Sequence, residues 1–326
     1  MERNKAIDIA KGIAIICMVV GHCYCEHNYV LQIIYAFHMP FFFIASGILY
    51  GAKSSGSVCI DFKKQCGKLL TPYFFFEIAF TLFVTILSRS VDTLPEKIIH
   101  VFTLDGVTVT WFLPCLLIAE VIFTWIINNI KPKKLCIGVF VLLVLIGTVV
   151  RGGGTFLFIL RRSFVGTGFL AIGYYGKNLY LTKSKKSLLS IAALSFLILA
   201  LVNGPISMVT ETYANPVLFI INGCLGSFVL IQVCILLNTK VKLSEIEYFG
   251  THTMEILCTH MFAVEIIRLI DYKVFNDVLK TLGIFEGIVF GCLILLIMKR
   301  IIPLCNRFLW FAFGRKLSSS KKAVVI

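Results

Sequence analysis

Two long apolar stretches occupy the first fifty residues of the chain, AIDIAKGIAIICMVVGHCY at residues 6–24 and LQIIYAFHMPFFFIASGILY at residues 31–50. Each is about 20 residues long, the length that an α-helix needs to cross the hydrocarbon core of a bilayer. Their apolar residues are continuous and do not alternate with polar ones, which favours a helix over a strand of a membrane β-barrel. These stretches therefore predict a helical membrane protein.

The composition of the whole chain supports this prediction. Hydrophobic residues make up 58% of the 326 residues, charged residues only 15%, and the mean hydropathy is +0.92. A soluble domain has about 45–50% apolar and about 25% charged residues, so the composition argues against a soluble enzyme, a disordered chain and a fibrous protein. We predict an all-α, polytopic membrane helix bundle that forms one domain over residues 1–326, with no separate soluble domain. The ten predicted spans are residues 6–24, 31–50, 70–88, 110–128, 135–150, 164–181, 188–204, 215–237, 248–270 and 283–302.

The distribution of basic residues predicts the orientation of the bundle. The net charge is +14, and the basic residues are spread over the connections between spans. If the N-terminus is inside, 21 of the 31 Lys and Arg residues lie in cytoplasmic segments, 7 in external segments and 3 within spans. This bias follows the positive-inside rule, so we predict that both termini are cytoplasmic. The positive net charge is then explained by the orientation of the protein in a lipid bilayer, which is its expected partner. We expect no nucleic-acid partner.

The first span contains ionisable residues, which are costly inside a membrane and are therefore candidate functional residues. Lys11 and His22 are eleven residues apart, close to three helical turns, so both side chains face nearly the same way, about 16 Å apart along the axis. Asp8 lies three residues before Lys11 and can pair with it. The alternative interpretation is that Lys11 extends its ammonium to the cytosolic interface and that His22 is an interfacial residue.

A second histidine lies at a similar depth in the second span. His38 is about 10 Å below the outer end of that span, at a rise of about 1.5 Å per residue. This depth is close to that of His22. A packing role for His38 is the alternative, but two histidines at matched depth on adjacent spans favour a shared site.

Three further residues are candidates for substrate binding. Trp111 begins the fourth span near the outer surface, and Glu255 and His260 lie in the ninth span. A polar interior of the bundle could collect these groups. Trp111 also fits the aromatic belt that marks membrane interfaces.

The sequence contains no convincing metal-binding or cofactor-binding motif. The segment His22-Cys23-x-Cys25-x-His27 is dense in ligand types but lacks the second, distant cysteine pair of a structural zinc site. No nucleophile elbow, Walker A loop or dinucleotide glycine pattern is present. We therefore predict that the protein uses no metal.

Several segments together resemble membrane acyltransferase family 3, and most closely its fucose 4-O-acetylase-like branch. They are DIAKGIA at residues 8–14, VGH at 20–22, YAFHMPFFFIASG at 35–47, WFLP at 111–114 and GTHTMEILCTH at 250–260. Members of this family are enzymes of about ten helices that use cytosolic acetyl-CoA to O-acetylate sugars of exported polysaccharides, lipopolysaccharide or peptidoglycan. The common motif has Arg eleven residues before the histidine, whereas this chain has Lys11 there, as that branch often does. Lysine meets phosphate as a point charge, without the bidentate geometry of arginine.

The resemblance implies a site and a mechanism. Acetyl-CoA is the expected acyl donor, with its phosphates near Lys11 and its pantetheine arm running along the first helix toward His22. His22 is the expected general base on a sugar hydroxyl, and His38 is expected to orient the substrate or stabilise the oxyanion. Direct transfer and an acyl-His22 intermediate both stay open. The expected partners are a carbohydrate acceptor and polysaccharide biosynthesis or export machinery, at the bacterial plasma membrane.

Two other functions fit the same composition. A transporter or export protein of a polysaccharide pathway would line a substrate path with these polar residues and perform no chemistry. The membrane module of a membrane serine racemase is a second alternative, but that class normally needs a soluble partner domain. Labelled acetyl transfer to a sugar by the purified protein discriminates an acyltransferase from a transporter.

Overall fold

The computed structural model describes residues 4–53, 58–239 and 241–315, and most of these residues are helical. Twelve α-helices lie in the described ranges: α1 (Lys5–Cys23), α2 (Tyr29–Lys53), α3 (Phe62–Ser88), α4 (Leu94–Phe102), α5 (Phe112–Asn129), α6 (Lys133–Val149), α7 (Thr155–Leu181), α8 (Lys186–Asn203), α9 (Pro216–Asn238), α10 (Ser244–Thr251), α11 (Thr253–Val274) and α12 (Glu286–Phe308). Three 3₁₀-helices cover Val109–Trp111, Val278–Phe285 and Trp310–Phe313. The strands β1 (Ile206–Ser207) and β2 (Thr212–Tyr213) pair antiparallel in one short hairpin.

The long helices coincide with the ten predicted spans. Eight helical segments are long and apolar enough to cross a membrane. Of the two remaining predicted spans, α6 has only 17 residues and α11 contains five charged residues. The prediction of an all-α polytopic bundle is confirmed. The count of ten spans, the single domain and the orientation stay predictions, and the two chain ends, residues 1–3 and 316–326, lie outside the described residues.

Several predicted spans differ in their bounds from the observed helices; helix α3, for example, begins at Phe62, eight residues before the predicted start. Helix α7 begins at Thr155, nine residues before the predicted start, so its first turns include two arginines that lie outside the predicted span. Arg161 and Arg162 are buried there, and each has a carboxylate partner, which offsets the cost of burying the charge. The ninth predicted span is interrupted at His252, which separates α10 from α11.

Glycines allow the central helices to touch through their backbones. Gly12 of α1 and Gly250 of α10 face each other, and a Cβ atom at Gly250 would overlap the carbonyl of Asp8. Gly47 of α2 and Gly173 of α7 form a second such contact, as a Cβ on Gly47 would overlap the carbonyl of Leu170. Small residues at helix crossings are typical of membrane bundles, because close packing replaces the hydrophobic effect there. The contacts fix α1 and α2 at the centre of the bundle.

The orientation can be tested by labelling cysteines in intact cells. In a variant whose exposed Cys25, Cys59 and Cys292 are replaced by alanine, a cysteine at Thr212 in the hairpin is expected to react with an impermeant maleimide. A cysteine at Lys185, between α7 and α8, is expected to react only after the cells are broken open. Both positions are exposed, so access to the reagent decides the result. The reverse labelling pattern would contradict the positive-inside assignment.

Candidate active site

Two cavities lie end to end along α1. We call the first the inner cavity, because it lies toward the predicted cytoplasmic side. The inner cavity has a volume of about 320 Å³, and the residues that line it include Lys11, Ser46 and Glu255. The outer cavity has a volume of about 240 Å³ and is lined by residues that include His22 and His38. The side chains that line both cavities are Met18, Met39 and Leu257. The two cavities therefore adjoin at a boundary lined by Met18, Met39 and Leu257.

One face of α1 runs along both cavities. Lys11 and Ile15 line the inner cavity, Met18 lies at the boundary and His22 lines the outer cavity. Spacings of four, three and four residues place these side chains on one helical face. The predicted common direction of Lys11 and His22 is confirmed.

Helix α2 runs antiparallel to α1 and contributes the facing wall. His38 and Tyr35 line the outer cavity, Met39 lies at the boundary, and Phe42 and Ser46 line the inner cavity. Because α2 descends where α1 rises, the histidines of the two helices lie at the same end. His22 and His38 therefore line one cavity, as expected for two histidines at a similar depth on adjacent helices.

The hydrogen bonds of two buried histidines define which ring nitrogen is available. Nδ1 of His38 lies 2.8 Å from the carbonyl oxygen of Ile34, and Nδ1 of His260 lies 2.7 Å from that of Ile256. A carbonyl only accepts, so each Nδ1 donates, and Nε2 of the neutral ring is left as an acceptor. Nε2 of His260 is buried without a hydrogen-bond partner. In the neutral state, His38 can therefore accept from a substrate hydroxyl but cannot donate to an oxyanion.

Helix α11 holds His22 from two sides. The ring of His260 packs against the ring of His22, with 5.6 Å between their centroids. Arg268, two turns further along α11, donates through Nη2 to the backbone carbonyl of His22 over 2.9 Å. A guanidinium at the C-terminus of α1 satisfies a carbonyl that has no partner within the helix. Arg268 and His260 together therefore fix the position of His22.

The inner cavity gathers basic side chains from three separate parts of the chain. Lys11 of α1, Lys68 of α3 and Arg315, which follows the last 3₁₀-helix, all line it. Nζ of Lys11 lies 3.8 Å from the carboxylate of Asp8, as the spacing predicted. Arg315 forms an ion pair with Glu255, with 2.8 Å between nitrogen and oxygen. The cavity thus offers several cationic groups to an anionic ligand.

A network of buried charges holds the part of the outer cavity wall that contains Trp111 and the hairpin. Trp111 lines this wall, and the guanidinium of Arg162 lies over the Trp111 ring, 5.2 Å from the ring centroid. Arg162 also pairs with Asp105 at 2.6 Å and donates to the carbonyl of Val209 in the hairpin. Arg162 therefore ties the loop before Trp111 to the hairpin that closes the cavity.

A buried carboxylate positions the backbone that leads to Trp111. Glu77 of α3 is fully buried and accepts from the backbone N–H of Val107 at 2.8 Å and of Thr108 at 3.1 Å. The hydroxyl groups of Thr108 and Thr110 donate to the same carboxylate. These bonds satisfy the charge in an apolar setting and order the 3₁₀-helix that ends at Trp111.

The structure brings the predicted site residues together in two groups. His22, His38 and Trp111 line the outer cavity, and His260 lies behind His22. Lys11 and Glu255 line the inner cavity. Glu255 and His260 share α11 and lie near different cavities. Within residues 4–53, 58–239 and 241–315, no group of three or more His, Cys, Asp or Glu side chains could hold a metal ion.

Sequence reasoning missed four residues that shape the site. They are Lys68, Arg162, Arg268 and Arg315. The positive-inside count treated three of them as loop charges and left Arg268 within a span without a role. Only the intramembrane position of Arg268 was a usable signal, because a charged residue there needs a partner.

The fold and the paired cavities define a multi-pass membrane protein with a buried, histidine-bearing site. The family model of the acyltransferase domain, that of the acyltransferase 3 family, matches residues 4–298 of the chain. The chain therefore belongs to the acyltransferase 3 family and is a membrane acyltransferase. No curated protein and no solved structure matches it. The family match does not distinguish branches, so the fucose 4-O-acetylase-like branch stays a prediction.

Proposed function

We propose that the protein moves an acetyl group from cytosolic acetyl-CoA to a hydroxyl of a cell-envelope or exopolysaccharide sugar, in the bacterial plasma membrane. The observation that carries this proposal is the pair of adjoining cavities. A cationic inner cavity suits the phosphates of the donor, and an outer cavity with histidines suits a hydroxylic acceptor. An acyl group at the shared Met18, Met39 and Leu257 boundary would be reached from both sides.

The charge of the inner cavity and the length of the α1 face support acetyl-CoA as the donor. Its phosphates would bind near Lys11 and Lys68, while the pantetheine arm would follow Ile15 toward Met18. Lys11 and His22 are eleven residues apart, which corresponds to about 16 Å along the helix, a distance that an extended arm can span. Apolar side chains along this path suit the arm, because the pantetheine arm carries no charge.

His22 serves as the general base in this proposal. Its ring takes the proton of the acceptor hydroxyl while the hydroxyl oxygen attacks the thioester carbonyl. The tetrahedral intermediate then collapses, the carbon–sulfur bond breaks, and the proton on His22 passes to the leaving thiolate. The products are the acetylated sugar and free CoA. His260 and Arg268 act through His22 by holding its ring and backbone.

The acceptor is oriented by the remaining groups of the outer cavity. Nε2 of His38 accepts a hydrogen bond from a sugar hydroxyl, which follows from the engagement of Nδ1 with the backbone. Trp111 offers an apolar ring face to the sugar, and Ser207 and Thr210 of the hairpin offer hydroxyl groups. This arrangement suits a substrate with many hydroxyls and little charge.

The proposal is tested with the purified, full-length protein in lipid nanodiscs. Radiolabelled acetyl-CoA is supplied with a panel of envelope oligosaccharides, and acetylated sugar and free CoA are measured together. We expect the two products to appear in equal amounts. Binding of sugar without any CoA release would favour the transport function.

Substitution of Lys11 tests the donor site. If Lys11 binds a phosphate, Lys11→Ala should weaken CoA binding at least about tenfold, since one charge-assisted contact contributes about 1.5–3 kcal/mol. Lys11→Arg should keep most of the affinity, because the charge is retained. CoA dissociation constants of the detergent-purified variants measure this. An unchanged constant for Lys11→Ala, with reduced yield, would instead support a structural pair with Asp8.

A further inference from the structure

The segment after α12 folds back onto the bundle and reaches the inner cavity. Phe313 is buried, and its ring lies 5.0 Å from that of Phe76 of α3. The ring of Phe311 lies 5.7 Å from that of Phe75. Two aromatic contacts on consecutive residues of α3 fix the segment against this helix.

A close backbone contact sets the direction in which the segment leaves α3. Gly314 has φ of 62°, in the left-handed region that favours glycine. A Cβ atom on Gly314 would overlap the carbonyl of Gly67, so only glycine permits this approach. The turn directs the next residue, Arg315, into the inner cavity beside Lys68.

The guanidinium of Arg315 is oriented before any ligand binds. It pairs with the buried carboxylate of Glu255 at 2.8 Å and donates to Oδ1 of Asn306 at 2.5 Å. It also lies 5.3 Å from the ring centroid of Phe313. A guanidinium has five N–H donors in a planar arrangement that matches phosphate oxygens, and its side chain here is 44% exposed. Donors therefore remain for an anion in the cavity.

We propose that the segment Trp310–Arg315 completes the donor site, with Arg315 as a binding residue for the phosphates of the acyl-CoA. This inference rests on the proposed function. It adds a residue that lies beyond the part of the chain matched by the family model, which ends at 298. In this arrangement Glu255 acts as a positioning residue, because it holds Arg315 and is itself 1% exposed.

The test compares two donors with the full-length protein. Acetyl-CoA carries the phosphates, whereas acetyl-pantetheine carries the same thioester without them. For Arg315→Ala, kcat/KM with acetyl-CoA is expected to fall about tenfold or more, while kcat/KM with acetyl-pantetheine stays unchanged. Arg315→Lys should recover part of the loss, because it restores the charge without the planar geometry. A general folding defect would lower kcat/KM equally with acetyl-CoA and with acetyl-pantetheine.

Arg307→Ala is the matched control, since Arg307 lies on the last turn of α12, stacks on Phe308 and does not line the cavity. This variant should behave as the wild type with both donors. An equal effect of Arg315→Ala on the two donors, or no effect on either, would overturn the role of Arg315 while the wild-type activity stands. Wild-type protein that fails to use acetyl-CoA would overturn the proposed function and this inference with it.

Discussion

Replacement of His22 with alanine is expected to abolish acetyl transfer while acetyl-CoA still binds. His22 lines the outer cavity at the end of the helical face that begins with Lys11, and α11 holds both its ring and its backbone. A positioned general base contributes about 10²–10⁴-fold to the rate of such a reaction. Because the phosphate contacts lie three turns away, the dissociation constant for CoA should change little. Initial rates and CoA binding of the same purified sample measure the two effects.

His27→Ala is a suitable control for this experiment. His27 lies in the exposed connection after α1, on the same side of the bundle as His22, and does not line the outer cavity. Its replacement should leave the transfer rate unchanged. Transfer at the wild-type rate by a well-folded His22→Ala protein would remove His22 from the mechanism.

Replacement of Glu211 with glutamine is expected to destabilise the fold strongly. Nε of Arg161 donates to both carboxylate oxygens of Glu211 in the hairpin, over 3.1 and 2.9 Å, and Nη2 of Arg161 lies 2.8 Å from Oε2. Both side chains are almost fully buried. Loss of one partner leaves the other charge buried and unpaired, which typically costs about 3–5 kcal/mol. The midpoint of thermal unfolding in detergent should fall accordingly.

An exposed ion pair on another part of the chain provides the comparison. Glu245 and Lys299 lie 2.6 Å apart, with about half of each side chain exposed. Exposed pairs contribute about 0–1 kcal/mol, so Glu245→Gln should shift the midpoint only slightly. Similar midpoints for Glu211→Gln and Glu245→Gln would show that the buried pair does not hold the hairpin. The hairpin would then close the outer cavity through its other contacts.

The helical architecture could be predicted because it depends on local chemistry. A continuous apolar stretch such as residues 31–50 favours a helix in a bilayer, since a helix satisfies the backbone polar groups within the stretch itself. The errors at α7 and at His252 have a different origin. Arg161 and Arg162 look like loop residues in a sequence, and only their pairing with distant carboxylates explains why a helix contains them.

The candidate site was predictable where it follows one helix and unpredictable where helices meet. Helical periodicity on α1 determined that Lys11 and His22 share a face, and the matched depth on α2 determined that His38 lies near His22. The sequence by itself therefore determined the class of fold and the direction of these side chains. Only the tertiary structure decided that His260 packs on His22 and that Arg315 lies beside Lys11 and Lys68. Those contacts join residues that are more than fifty positions apart in the sequence. The packing of helices brings these residues together, and no local periodicity encodes that packing.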